Sequence, residues 1–194
     1  MSDETPVRRL SRRTAFENRV WRADLDHIVD ANGIEVPEYL VLSARGHAAG
    51  LAGGVAVLPV LADGRVVLLR NWRHAVGTWS WEAAKGFIDE GETAVAAAGR
   101  ELAEETGLMC APGDLVPLGE VFSEPAVLAT SAALFLARDC RPIPGHAAAR
   151  DELGLGAPTA LTRAAADALV RDGGVRDAVS LLLLARLPPA APAR

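Results

Sequence analysis

Apolar and polar residues alternate through RVWRADLDHIV at 19–29 and again through EYLVLSA at 38–44, with DANG at 30–33 between them. Alternation with a period of two is the mark of a half-buried strand, and Asp-Ala-Asn-Gly supplies turn chemistry. The two stretches predict a small antiparallel sheet ahead of the main body of the chain. Residues 1–13 are polar and basic and predict a loose start. Next, VAVLPVL and RVVLLR flank ADGR at 62–65, the pattern of a hairpin. Pro59 argues against a central strand there, or marks a bulge. TWSWEAA at 78–84 alternates Trp79 and Trp81, as a further short strand does.

Residues 93–106 have helical character. Thr93 fits the N-cap, Gly107 the stop, and the interior is rich in alanine. Val95, Ala98 and Leu102 predict a stripe facing the core, with the glutamates on a different sector. LVPLGEVF at 115–122 and SAALFLARD at 131–139 predict two more strands. A loop, RPIPGHAAARDELGLGAP, follows at 141–158. The stretch 159–187 predicts two helices broken at Gly173-Gly174, and 188–194 a flexible tail. No internal repeat is visible. Strands, one helix, strands and then helices argue for an α/β (α+β) fold, a mixed sheet with helices on its faces.

Composition narrows the class. The chain has 194 residues, half of them hydrophobic, and a net charge of −5. That supports a full core without disulfides or metals, and no polybasic arm suggests nucleic acid as a partner. Cys110 and Cys140 make no disulfide framework or zinc cluster and read as free thiols. The N-terminal residues have no apolar core of a secretory signal, and the most apolar stretch, 48–62, is too short to span a bilayer. The expectation is a cytoplasmic protein with no membrane contact.

RELAEETG at 100–107 raises a question of charge. Glu101, Glu104 and Glu105 stand at i, i+3 and i+4, where like charges repel by about 0.2–0.5 kcal/mol per pair. A hard divalent cation offsets that repulsion, and oxygen-only donors suit Mg²⁺ or Mn²⁺ better than zinc. The four histidines show no ligand spacing.

Extended to GFIDEGETAVAAAGRELAEETGL at 86–108, the stretch resembles the signature of the Nudix hydrolase superfamily at its nine defined positions. The resemblance implies a Nudix-type α/β/α sandwich with a mixed sheet. It implies Glu101, Glu104 and Glu105 as metal ligands, joined by the carbonyl of Lys85, with Glu92 and Arg100 as a supporting pair. The implied reaction is hydrolysis of a nucleoside diphosphate linked to another moiety. Residues 53–86 are similar to the approach to this signature in ADP-ribose pyrophosphatases and their nucleotide-sugar relatives, where Arg73 and Glu82 match. By the same resemblance residues 1–50 form a dimerisation region, residues 51–187 the hydrolase domain, and the protein a homodimer.

Two departures keep the substrate open. Ala-Lys-Gly stands at 84–86 where that group has Pro-Ala-Gly, and Pro125 is followed by Ala126 rather than glycine. ADP-ribose, yielding AMP and ribose 5-phosphate, is the expected substrate. GDP-mannose, UDP-glucose, NADH and a non-catalytic nucleotide sensor are the alternatives. Asp151 and Glu152 fall in the loop where the group carries its catalytic carboxylate, and either is a candidate general base or an ordinary loop acid. Arg70 and Arg73 are candidates to bind phosphate through paired hydrogen bonds, and by the resemblance Glu82 is a further substrate-binding candidate. Phe16, Trp21 and Trp72 are candidates to stack a base, core packing being the plainer role for each.

Overall fold

The turn at 30–33 forms as its residues dictate. The Asp30 carboxylate accepts the N–H groups of Asn32 at 2.9 Å and Ile34 at 2.8 Å, while Gly33 takes a φ of +83°. In a computed structural model, which describes residues 5–44, 52–145, 148 and 153–188, the chain divides into two compact units. One is Met1–Gly53 with Phe122–Ser131, and the other is Gly54–Val121 with Ala132–Arg194.

The first unit is a three-stranded antiparallel sheet of β1 (Val7–Glu17), β2 (Trp21–Asp30) and β3 (Glu35–Ala44), in that order. From Val7 onward the polar, basic start is strand β1; the expected loose start falls on the first four residues, outside those described. Every residue of β1 is exposed, so its arginine-rich sequence carries no buried stripe to read. Residues 126–129 run beside β3. Leu42 exchanges backbone hydrogen bonds with Val127 and Ala129, and the Tyr39 hydroxyl donates to Ala126 O at 2.6 Å.

The alternation in β2 selects an unexpected face. Its most buried residues are Asp24 and Asp26, not its apolar ones. Arg12 reaches across from β1 and grips Asp26 with two bonds of 2.6 and 2.7 Å. Arg22 and Thr14 each donate to Asp24 at 2.8 Å. Burying a carboxylate is costly unless it is paired and hydrogen bonded, and both of these are.

The second unit holds an eight-stranded mixed sheet whose main path runs β11-β5-β4-β10-β8. Its strands are β4 (Ala52–Leu61), β5 (Val66–Arg73), β6 (Thr78–Glu82), β7 (Ala84–Phe87), β8 (Leu108–Met109), β9 (Leu115–Val121), β10 (Ser131–Pro142) and β11 (Pro158–Leu161). Strand β6 pairs with β5, β7 with β4, and β9 with β10. The predicted hairpin turns at Asp63-Gly64. Pro59 lies inside β4, between the residues paired with β7 (54–57) and the one paired with β5 (Val60). A residue without an N–H is tolerated where the ladder changes partner.

Helices α1 (Ala94–Thr106), α2 (Arg163–Arg171) and α3 (Ala178–Ala185) complete the unit. Ala56, Leu58, Val66, Leu68, Leu134 and Leu136 on the sheet pack with Ala166, Val179, Leu183 and Leu184 on α2 and α3. The alternate strand positions Val55, Val57, Val67 and Leu69 are buried as well, so both faces are covered. The helix predicted from Thr159 starts later. Residues 158–161 pair with β5 as β11, and the hydroxyl of Thr162 then caps α2 by accepting the Ala165 N–H. The break at Gly173-Gly174 stands between α2 and α3. Among the described residues no helix is long and apolar enough to cross a membrane.

Burial alone raises the Asp24 carboxyl, but bonds from Arg22 and Thr14 outweigh it. Arg12 outweighs burial at Asp26. Both acids are held below the ordinary range. Their stabilisation is therefore complete above the unfolded aspartate value of about 3.9 and is lost as pH falls through the lower folded values. Asp26→Asn is expected to cost about 1–2 kcal/mol at neutral pH. It is also expected to flatten the acid-side fall in Tm, which thermal melts from about pH 7 to about pH 2 measure. An unchanged acid limb would show that the pair does not govern it.

Candidate active site

Helix α1 begins where Thr93 Oγ1 accepts the Ala96 N–H and ends where Gly107 enters the left-handed region at φ +68°. Its buried face is Ala97, Ala98, Glu101, Leu102, Glu105 and Thr106. This corrects two expectations. Val95 is 54% exposed and outside the core stripe. Glu101 and Glu105 share the buried face, only 8% and 4% exposed, instead of lying on another sector. At 100° per residue, positions 97, 98, 101, 102 and 105 fall within one arc.

What accommodates two carboxylates on that face is β7. Gly86 is a residue of that strand. A Cβ built on it lies 1.9 Å from Glu101 Oε1, so Glu101 occupies the space a side chain would take. One residue earlier, the Lys85 N–H donates to Glu105 Oε2 at 3.0 Å. Arg100 then spans the acids. Its guanidinium donates to Glu101 at 2.6 Å, Glu104 at 3.2 Å, Glu92 at 3.0 and 3.1 Å, and the Phe87 carbonyl at 2.8 Å. Glu92 lies below the ordinary carboxylate range, chiefly because Arg100 donates to it, and Arg100 is pushed further up, chiefly by Glu92. Glu104 is the outermost, its side chain 52% exposed.

The donor chemistry of this cradle, carboxylates beside a strand carbonyl, fits a hard divalent cation. Glu101, Glu104, Glu105 and the carbonyl of Lys85 are the groups available to hold one. They are not drawn together as a ready-made cluster among the described residues. Arg100 instead joins Glu101 and Glu104.

The side chains of Arg73 and Glu82 meet between β5 and β6, with bonds of 2.6 and 3.0 Å. They line a cavity of about 290 Å³ with Thr78, Ser80, Arg176 and Asp177. Arg70 is not with them. Register puts Arg70 and Arg73 on opposite faces of β5, and the Arg70 guanidinium lies 5.2 Å from the Trp79 ring centre. Of the base-stacking candidates, Phe16 and Trp72 are exposed rather than packed in a core. Asp151 and Glu152 lie outside the described residues. A larger cavity, about 470 Å³, is lined by Val60, Arg65, Leu136, Arg138, Arg163 and others and contains none of the predicted site residues.

Asp177 escaped the sequence reading. The Lys85 ammonium bridges Glu82 at 2.9 Å and Asp177 at 2.8 Å. Asp177 also caps α3 by accepting from the Ser180 N–H and hydroxyl, and Ser180 Oγ in turn accepts the Ala83 N–H. Burial raises the Asp177 carboxyl, but Lys85 and Ser180 outweigh it and hold it below the ordinary range. The signal was present: an aspartate directly before the apolar run AVSLLLLA is an N-cap pattern.

A carboxylate-bearing helix clamped onto a glycine-containing strand defines the class. Residues 50–142, just under half of the chain, match the NUDIX domain. It is 36% identical to the ADP compounds hydrolase NudE of Escherichia coli (strain K12) over 90 residues, 45% of this chain and 46% of that protein. It is 43% identical to the ADP-sugar pyrophosphatase of Mus musculus over 60 residues, 29% of this chain and 28% of that one. An RNA pyrophosphohydrolase of Caulobacter vibrioides is 48% identical over 54 residues, 28% of this chain and 31% of that one. The matched stretch thus spans less than half of each relative. A crystal structure of an ADP compounds hydrolase shares the fold at a TM-score of 0.72 and 22% identity, covering 95% of this chain and 93% of that one.

Gly86→Ala is expected to destabilise the protein by about 1–3 kcal/mol through overpacking against Glu101. Adding Glu101→Ala is expected to recover most of that loss, because the clashing carboxylate is gone. Additive losses in denaturant titrations of the two single variants and the double variant would refute the close contact.

Proposed function

We propose that this protein is a metal-dependent hydrolase of the pyrophosphate bond in nucleoside diphosphates linked to another moiety, with ADP-ribose as substrate and AMP and ribose 5-phosphate as products. The observation that carries this reading is the seating of Glu101 and Glu105 against Gly86 and Lys85, with Arg100 bracing the acids. The names of the relatives, an ADP compounds hydrolase and an ADP-sugar pyrophosphatase, favour an adenosine diphosphate over the guanosine and uridine alternatives.

In this reading Glu101, Glu104, Glu105 and the Lys85 carbonyl hold Mg²⁺ or Mn²⁺. The cation, when bound, neutralises charge on phosphate oxygens and favours ionisation of water. Arg73 binds phosphate oxygen, oriented by Glu82, with Arg176 across the same cavity. The water oxygen bonds to phosphorus, the bridging P–O bond breaks, and Asp151 or Glu152 takes the proton. Arg100 acts through the glutamates, fixing their rotamers. Val7, Leu10, Phe16, Ile34, Val36 and Leu40 are exposed in the first unit, which supports a homodimer formed through it.

Product analysis of ADP-ribose, GDP-mannose, UDP-glucose and NADH, with Mg²⁺ and with chelator, tests the substrate. Metal-dependent AMP from ADP-ribose, above the rest, is expected. Tight ADP-ribose binding without turnover would instead mark a sensor. Glu105→Gln is expected to lower kcat by about 100-fold at saturating metal. Of Asp151→Asn and Glu152→Gln, the one that removes the base is expected to lose about 100-fold or more in kcat, with little change in KM. Small, equal losses would return both to ordinary loop acids.

A further inference from the structure

The β5–β6 pair has a second face that the proposed chemistry does not use. Trp72 and Trp79 stand directly opposite each other across the two strands, their rings 5.6 Å apart in an edge-to-face arrangement. They remain 37% and 46% exposed. Large aromatic rings left in water beside one another mark a recognition surface more often than a lone exposed side chain does. Arg70 stacks on Trp79 at 5.2 Å and has no carboxylate partner among the described residues. Its neighbour Arg73 is committed to Glu82 on the opposite face.

The platform is held in place from behind. The Trp72 N–H donates to Gly154 O at 2.8 Å, and Gly156 N donates to the Asn71 side chain at 3.1 Å. A Cβ on Gly154 lies 2.7 Å from Trp72 O, and one on Gly156 lies 2.1 Å from Arg70 O. Only glycine lets this segment approach β5 so closely, and the approach fixes the backbone that carries Arg70 and Trp72.

We propose that Arg70, Trp72 and Trp79 form a nucleotide-binding platform separate from the cradle of α1. The exposed ring faces take a nucleobase, and the Arg70 guanidinium takes its phosphate. Stacking surfaces combined with a free cation are the chemistry by which single nucleotides and unpaired strands are held without reading their sequence. The ligand class is therefore a nucleobase bearing a phosphate, either as a free nucleotide or as the 5′ end of a strand. This assignment stands independently of the proposed hydrolysis.

Calorimetric titration with AMP, in chelator and without added metal, tests it. AMP is expected to bind, with adenosine and inorganic phosphate each at least about tenfold weaker, since each lacks one of the two recognition elements. Arg70→Gln is expected to reduce AMP affinity to the adenosine level. Trp79→Leu is expected to cost about fivefold or more, and Trp79→Phe to restore most of it by returning a ring. Glu105→Gln is expected to leave this binding unchanged, which separates the platform from the cradle. A 5′-phosphorylated pentaadenylate that binds more tightly than AMP and loses affinity in the same variants assigns a strand end. Equal affinity assigns the free nucleotide. The proposal falls if AMP does not bind, if phosphate alone binds as well, or if folded Arg70→Gln and Trp79→Leu bind AMP like the wild type. It also falls if Trp79→Leu changes the oligomeric state while AMP binding is unaltered, because the face is then a contact between copies.

Discussion

Two carboxylates rest against the backbone of one short strand, and the candidate site of the second unit is arranged around that contact. Glu101 fills the volume that a side chain at residue 86 would take, and Glu105 accepts the N–H of residue 85. Buried carboxylates are tolerated only with hydrogen-bond partners of this quality. The contact therefore sets the rotation of α1 against β7. One residue of slippage turns the helix by about 100° and removes both acids from the strand. Thr93 and Gly107 set where the helix starts and stops, while the strand sets which way it faces.

Positive charge extends that arrangement in two directions. Arg100 gathers Glu92, Glu101 and Glu104 and also reaches the Phe87 carbonyl, so the loop between β7 and α1 is tied to the helix it precedes. Lys85 links Glu82 to Asp177, the cap of α3. The lysine at 85, where the related pyrophosphatases carry alanine, thus has a clear physical consequence. Its backbone serves one acid of α1 while its side chain couples the Arg73–Glu82 pair to the C-terminal helix. The first unit follows the same rule by other means: Asp24 and Asp26 are buried in β2 because arginines of β1 and β2 surround them.

Much of this was legible along the chain. The turn at 30–33, the hairpin at Asp63-Gly64, the caps of α1 and the break after α2 are local, since each depends on neighbours a few residues apart. Arg73 and Glu82 were singled out by resemblance; their ion pair joins side chains whose strand partners are Thr78 and Leu69, so it comes from the packing of β5 on β6. Strands β1 and β11 were not legible. One is wholly exposed and the other is four residues long, so neither carries a periodic apolar face. Residue type makes both Arg70 and Arg73 candidates for phosphate, but three residues along a strand put them on opposite faces.

By itself the sequence determined the resemblance to the Nudix signature, the acidic helix and its limits, because these rest on residue identity and short-range spacing. Only the tertiary structure decided that Glu101 and Glu105 point inward, that one of them takes the space beside Gly86, and that the Lys85 ammonium links Glu82 to Asp177. Each of those depends on which atoms meet across different elements. A charge pattern on one helix gives the spacing of the carboxylates, but what they lie against comes from the strand packed beneath it.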